Sequence, residues 1–403
     1  MTTILAGMRV VEASAFIAAP LGGMTLAQLG AEVIRIDPIR GGLDHRRWPI
    51  ADDGTSLFWC GLNKGKKSVA LDVASPEGRE LAEAIICMPG ENAGMLITNF
   101  PPRGWLAYDG LAAKRPDLIQ LTLKGDRHGR SAVDYTVNPG TGLPFLTGGE
   151  GDAEPVNHIL PAWDCITGQM VAVGLLAAER HRRLEGRGQH VTLALEDVAL
   201  AVMGHLGFIA EAQMGRERER TGNYLFGAFG RDFLCQDKER VMVVGLTLKQ
   251  WRSLCAATEI DAAIAELGQA TGLNLALEGD RYRARHRIAE LVGAWIAEHP
   301  LAVVAERFDA CGVCWGRYRT ATQMVREHPS CSPDNPMFSS VEQPGVGTWL
   351  SPGIPLDFSD LSRVEAAPAP RLGAHSEEIL VGRLGLSEGA YGSLRDRGIV
   401  AGA

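Results

Sequence analysis

The sequence predicts an α/β protein: a large Rossmann-like domain with a parallel sheet, and a smaller α+β domain. Three observations carry that expectation. Through the first 125 residues, short β-branched runs alternate with helix-length segments on short connections, which implies a parallel sheet covered on both faces. The chain has 403 residues, too many for one compact core. Hydrophobic residues make up 46% and charged residues 22%, the balance of a globular protein rather than a disordered one.

Met8 to Glu12 reads as the first strand. Pro20 stands where a helix begins, and Leu26, Leu29 and Ala31 lead into a second strand, Glu32 to Asp37. Strands over Ser68 to Asp72, Met95 to Thr98 and Leu118 to Leu123 follow, separated by a helix over Pro76 to Cys87 and a shorter one. Ligands of such sheets sit outside the carboxyl ends of the strands, which here carry Asp37, Asn99 and Lys124. Gly129 to Pro161, rich in Gly, Pro, Asp and Asn, reads as a long functional loop. A helix from Asp164 to Leu184, a strand from Gln189 to Leu195 and an apolar helix from Val198 to Met214 come next. Beyond the charged stretch Met214 to Gly222, a strand at Val241 to Leu246 and a helix at Arg285 to His299 mark the smaller unit. The expected division is 1–200 for the large domain, 201–225 for a linker, 226–325 for the small domain, and 326–403 for a segment that returns to the large one.

Lys plus Arg number 40 against 48 for Asp plus Glu, a net charge of -8 that excludes a non-specific nucleic-acid binder. The densest apolar run, Met170 to Ala178, is about half of the ~20 residues a membrane helix needs. Arg9 and Glu12 interrupt the amino-terminal apolar stretch, which argues against a signal peptide. Eight scattered cysteines suggest no disulfide framework. The single CxxC, Cys311 and Cys314, lacks a second pair and reads as two partly buried thiols rather than a metal or redox site. A reducing, cytoplasmic location without metal is expected. Ala18-Ala19-Pro20-Leu21-Gly22-Gly23 lacks the glycine pattern of a dinucleotide loop, and no P-loop motif occurs, which argues against nicotinamide and ATP chemistry.

Two features carry candidate chemistry. Asp164 follows Leu160-Pro161-Ala162-Trp163 and opens a helix. It is either an ordinary N-cap or an exposed carboxylate nucleophile beside a glycine-rich loop, and spacing does not choose. The stretch from Arg35 to Lys67 holds seven basic residues (Arg35, Arg40, Arg46, Arg47, Lys64, Lys66, Lys67) against four acidic ones (Asp37, Asp44, Asp52, Asp53). It is either a solvated face or a receptor for an anionic, multiply phosphorylated cofactor.

Ordered segments then resemble a known family. They are Leu5 to Glu12, Ala18-Ala19-Pro20, Leu29 to Asp37, Asn63 to Ser68 with Leu71-Asp72, Asn99-Phe100, Arg103-Gly104, Asp134-Tyr135, Trp163-Asp164, Gly186 to Gln189 and Ala369 to Gly373. Together they resemble the class III CoA-transferases along the whole chain. The resemblance implies a CoA thioester as substrate, no prosthetic group, and an interlocked homodimer. It implies Asp164 as nucleophile, with cofactor-binding contacts from Ile17, Ala18, Leu71, Asn99, Phe100, Arg103, Lys124, Asp134 and Tyr135. Many relatives carry a basic residue where this chain has Pro38, so Arg40 or Arg46 is expected to take over that phosphate contact. Gly227 and Gly230, in the segment Gly222 to Gly230, are expected in a closing lid or as oxyanion donors, the alternative being an ordinary linker turn.

Ala15 to Gln28, Val133 to Pro139 and Gly222 to Phe233 are similar to an intramolecular branch of the family, which moves CoA between the two carboxyl groups of one branched unsaturated diacid. Intermolecular transfer to a second acid is the alternative. A racemase branch uses a His directly before the Asp of the Asp134 motif. Here that position is Val133, so two-base racemisation lacks half its machinery.

Overall fold

Val10, Val11, Val33, Ile34, Val69, Leu71, Leu96 and Ile97 are buried whichever face of their strands they occupy. Continuous apolar strands of this kind belong in a parallel sheet covered on both sides. The computed structural model describes residues 3–152 and 154–402. Its strands are β1 (Arg9–Ala13), β2 (Glu32–Pro38), β3 (Lys67–Leu71), β4 (Met95–Thr98), β5 (Ile119–Lys124), β6 (Gln189–Ala194), β7 (Phe229–Leu234), β8 (Arg240–Gly245), β9 (Cys314–Arg317), β10 (Phe338–Gln343), β11 (Gly347–Pro352) and β12 (Val400–Ala401).

Seven strands form the main sheet in the order β12-β3-β2-β1-β4-β5-β6. All neighbours run parallel except β12, which is antiparallel to β3. Strand order reverses between β1 and β4, and such a reversal opens a crevice at the carboxyl ends of the two strands. One face packs Val11, Ile34 and Leu96 beneath the helix Pro76–Ile86 and the later Ile379 and Tyr391. The other packs Val10, Val33, Ile97 and Leu121 beneath α1 (Ala18–Gln28) and the long helix Ala162–Glu185. Glycines let these two helices touch. A Cβ at Gly22 would lie 2.5 Å from Val171, and one at Gly168 would lie 2.8 Å from Leu21. The close approach brings the start of the long helix to the start of α1.

Contacts divide the chain into two units. The first comprises Met1–Thr141, His158–Glu211 and Pro329–Ala403, and holds the seven-stranded sheet. The second comprises Gly142–Asn157 and Ala212–His328. Its antiparallel sheet β7-β8-β9 packs Phe229, Val241 and Val243 against Trp251, Ile288, Val292 and Phe308. Among the described residues no single helix is long and apolar enough to cross a membrane, and no cluster of His, Cys, Asp and Glu has the makings of a metal site.

The structure departs from the sequence reading at two places. The expected loop Gly129 to Pro161 contains the helix Asp134–Val137, a 3-10 turn Asn138–Thr141 and the helix Leu143–Leu146. Each spans about one turn, too short to leave a hydrophobic period among Gly and Pro. The expected helix Val198 to Met214 is two helices, Leu195–His205 and Phe208–Gln213, parted at Gly207, whose φ of 82° no right-handed helix accommodates.

Candidate active site

The crevice between β1 and β4 opens into a cavity of about 660 Å³, and every residue lining it lies in the first unit. Its floor is the turn joining β1 to α1. Phe16 in that turn has φ 69°, a left-handed conformation that costs a bulky side chain energy. Hydrogen bonds hold the turn in place. Asn99, just past β4, accepts from the Ala15 N–H at 3.0 Å and donates to the Ala15 carbonyl at 2.8 Å. Asp44 Oδ1 accepts from the Phe16 N–H at 2.9 Å. Arg35 donates to the Ser14 carbonyl at 2.8 Å.

The facing wall is the start of the long helix. Pro161 occupies the N-cap position and has no side chain able to cap. Asp134 supplies the cap from another segment: its Oδ2 accepts from the N–H groups of Trp163 at 2.7 Å and Asp164 at 3.1 Å. Its Oδ1 meets His158 Nε2 at 2.5 Å. The indole of Trp163 donates to Asn138 Oδ1 at 3.0 Å, which ties the short helices of this loop to the long one. Orphan amides at a helix start are thus satisfied by a buried carboxylate rather than by a local one.

Asp164 is thereby freed. It lies in the first helical turn, not at the cap, and its carboxylate makes no hydrogen bond among the described residues. It lines the cavity. Burial, reinforced by the charge of Asp134, pushes its carboxyl up to about 7, with Arg47 acting in the opposite direction. A poorly solvated carboxylate beside a roomy cavity can act as a nucleophile, and with Pro161 at the cap position the N-cap explanation is excluded.

Three cations border the same space: Arg130, which pairs with Asp126, and Arg47 and Lys124. Lys124 ends β5, and the guanidinium of Arg47 stacks on Phe58 at 4.9 Å. Among the described residues neither has a carboxylate partner within ion-pair distance. They are suited to phosphate or carboxylate groups.

Of the residues the sequence singled out, Ile17, Ala18, Asn99, Phe100, Lys124, Asp134, Tyr135 and Asp164 all line this cavity. Arg40, Leu71 and Arg103 do not. Leu71 has no exposed surface and packs into the apolar core, while Arg40 and Arg103 are exposed elsewhere. Arg47 and the residues Gly129, Arg130, Ser131 and Ala132 line it without having been singled out as site residues. Arg47 sat in the basic segment, indistinguishable from its neighbours. Gly227 occupies a turn with φ 79°, and Gly230 is held in the β7–β8 ladder opposite Val244, so Gly230 is no free lid residue.

The basic segment divides: Arg47 borders the cavity, Arg40 and Arg46 are exposed, and the other four cations are taken up inside the fold. Arg35, 2% exposed, pairs with Glu12, Asp37 and Asp44 at 2.8–2.9 Å, and Lys66 pairs with Glu12 at 2.9 Å. Lys64 donates to the Pro352 carbonyl, and Lys67 pairs with Glu32. Four of the seven cations are structural. A second cavity in this unit, about 1010 Å³, is lined by Lys66, Gln343 and Arg371. Its buried polar groups are engaged, Lys66 with Glu12 and Gln343 with both backbone groups of Ala369. All eight cysteines are free; Cys311 is partly buried but Cys314 is exposed, where both had been expected partly buried.

Comparison with known proteins adds to this geometry. A model of CoA-transferase family III matches residues 5–376. The chain is 59% identical to 2-methylfumaryl-CoA isomerase of Chloroflexus aurantiacus, over 100% of this chain and 99% of that one. It is 26% identical to succinyl-CoA:mesaconate CoA-transferase of Haloarcula marismortui, over 93% of this chain and 94% of that one. Among solved structures, a CaiB/BaiF family protein from Brucella suis superposes with a TM-score of 0.77 at 24% identity, covering 95% of this chain and 100% of the other. That likeness bears on the fold. With a family model spanning nearly the whole chain and a full-length relative at 59% identity, the chain belongs to CoA-transferase family III.

Proposed function

We propose that the protein converts 2-methylfumaryl-CoA to 3-methylfumaryl-CoA by moving CoA between the two carboxyl groups of one diacid. The observation that carries the reading is the Asp164 carboxylate, without a hydrogen bond among the described residues, raised in pKa and set in the cavity wall. The full-length identity to an isomerase of that name supports the substrate.

In this mechanism ionised Asp164 attacks the thioester carbonyl at carbon 1, forming a mixed anhydride and releasing CoA thiolate. The thiolate attacks the aspartyl carbonyl, giving an aspartyl-CoA thioester and the free diacid. The diacid's other carboxylate then attacks that thioester. A second anhydride forms, thiolate attacks its carbon-4 carbonyl, and Asp164 is regenerated. A relay is required because the two carboxyl groups are trans across the double bond and cannot close a five-membered anhydride. Retention of both fragments raises their effective concentration, to about 10⁵ M or more where alignment is good. In this reading Arg47 and Lys124, which line the cavity, grip anionic groups of the thioester, and Ile17, Ala18 and Phe100 form its apolar walls.

A homodimer belongs to the same reading. Ile166, Met170 and Val173 form an exposed apolar stripe at helical spacing on the long helix, each more than one-third exposed, and Leu200 on the next helix is 45% exposed. An interlocked partner would cover them. Eight free cysteines fit a reducing, cytoplasmic location.

Turnover of 2-methylfumaryl-CoA in the presence of isotopically labelled free 2-methylfumarate tests the reading. Isomerisation with an unlabelled thioester pool is expected. Label entering the pool at the turnover rate would instead establish transfer between separate acids, as in the family's named intermolecular relatives.

A further inference from the structure

The mechanism above uses none of the buried charges beneath the cavity floor, yet their geometry converges on one backbone group. Phe16 lines the cavity and is held at φ 69°. For a residue with a Cβ, that conformation persists only where its surroundings over-determine it. Three side chains do so. Arg35 fixes the Ser14 carbonyl, Asn99 fixes both backbone groups of Ala15, and Asp44 takes the Phe16 N–H. Only Asp44 touches the strained residue itself.

Asp44 is 1% exposed, so its own position is set by its partners. Its Oδ2 accepts from Arg35 Nη2 at 2.9 Å, the same nitrogen that donates to the Ser14 carbonyl. Arg35 is in turn anchored by Glu12 at 2.8 Å and Asp37 at 2.9 Å, and its guanidinium lies 4.8 Å from the Trp59 ring centroid. The buried cluster therefore forms one rigid bracket running from β1 and β2 to the turn. The charges decide how dispensable Asp44 is to folding. Glu12, Asp37 and Asp44 supply three negative charges against two positive ones from Arg35 and Lys66. Loss of Asp44 leaves a balanced cluster, whereas loss of Arg35 would not.

We infer that Asp44 is a positioning residue for thioester binding: braced by Arg35, it holds the Phe16 backbone in the left-handed conformation that shapes the cavity floor. This deepens the proposed function and rests on its reading of the β1–α1 turn as a wall of the thioester site.

The test compares Phe16→Ala and Phe16→Gly, each with and without Asp44→Ala. Both Phe16 variants remove the ring and differ only by a Cβ at positive φ, where glycine alone is at ease. With Asp44 present, the two are expected to show similar KM for 2-methylfumaryl-CoA. Without it, KM is expected to rise about tenfold in the Phe16→Ala protein and less than about threefold in the Phe16→Gly protein, with kcat held within about threefold. An equal rise in both backgrounds, an unchanged KM, or a loss confined to kcat would overturn the inference. Should Asp44→Ala prove insoluble, Asp44→Asn, which retains only one good acceptor, is read in the same four-way comparison. If Asp44→Asn is insoluble as well, Asp44 is a folding residue and the inference fails. Failure of the functional reading is distinguishable, because the unaltered protein would then not turn the thioester over at all.

Discussion

Two buried acidic regions lie a few residues from one cavity and solve opposite problems. Around Arg35 every carboxylate has a cation: Glu12, Asp37 and Asp44 all reach it within 2.9 Å. At the start of the long helix, Asp134 takes both helix amides and His158, and the Asp164 carboxylate has no hydrogen-bond partner among the described residues. The first arrangement fixes backbone. In the proposed function the second supplies the nucleophile: a poorly solvated carboxylate raised to about 7 is a better nucleophile once its proton leaves. Burial alone therefore says little about the role of an acid; the count of its partners decides.

That contrast can be broken from either side. Asp164→Asn should abolish the nucleophile and lower kcat at least about 10³-fold, measured by thioester isomerisation, with the fold intact. Arg35→Met attacks the paired region. It leaves three buried carboxylates around a lost cation and should cost about 3–5 kcal/mol in denaturant unfolding, a loss that Asp164→Asn should not share. Asp134→Asn tests the link between the acids. It removes the like charge beside Asp164 while leaving a side chain that can still cap, so the acid limb of the kcat/KM profile should move to lower pH.

A smaller effect is expected in stability. A carboxyl whose folded pKa is raised binds its proton more tightly folded than unfolded. Its stability contribution is present below the unfolded value near pH 4 and is lost as pH climbs through about 7. Asp164→Asn has no such loss. Its melting temperature should match the parent's near pH 4 and exceed it at pH 8; the reverse order would contradict the assignment.

Much of this was legible in the sequence, for physical reasons that differ from residue to residue. Strands such as Met95 to Thr98 announce themselves because both their faces are apolar, and the strand-helix rhythm carried the α/β class. Asp164 was visible as a carboxylate at a helix start, but its freedom was not. That depends on Asp134, 30 residues earlier in the chain, capping the helix in its place. The basic run from Arg35 to Lys67 misled in the same way. Local charge counting sees Arg35 and Lys66, while the acid that joins them, Glu12, lies in another strand. Arg47 stayed hidden because nothing in its immediate sequence marks which arginine faces the cavity. Pairings across long separations are set by topology, and topology is the part a local pattern cannot express.

The central claim is that Asp164 itself carries the acyl group and then CoA. Oxygen bookkeeping tests it most directly. In each turnover the attacking carboxylate of the diacid leaves one oxygen on Asp164 when thiolate takes the carbon-4 carbonyl. With both oxygens of the free carboxylate of 2-methylfumaryl-CoA as ¹⁸O, the peptide containing Asp164 should gain about 2 Da in the first turnover and approach about 4 Da over a few more in ordinary water. Complete isomerisation with no mass gain on that peptide would contradict the account.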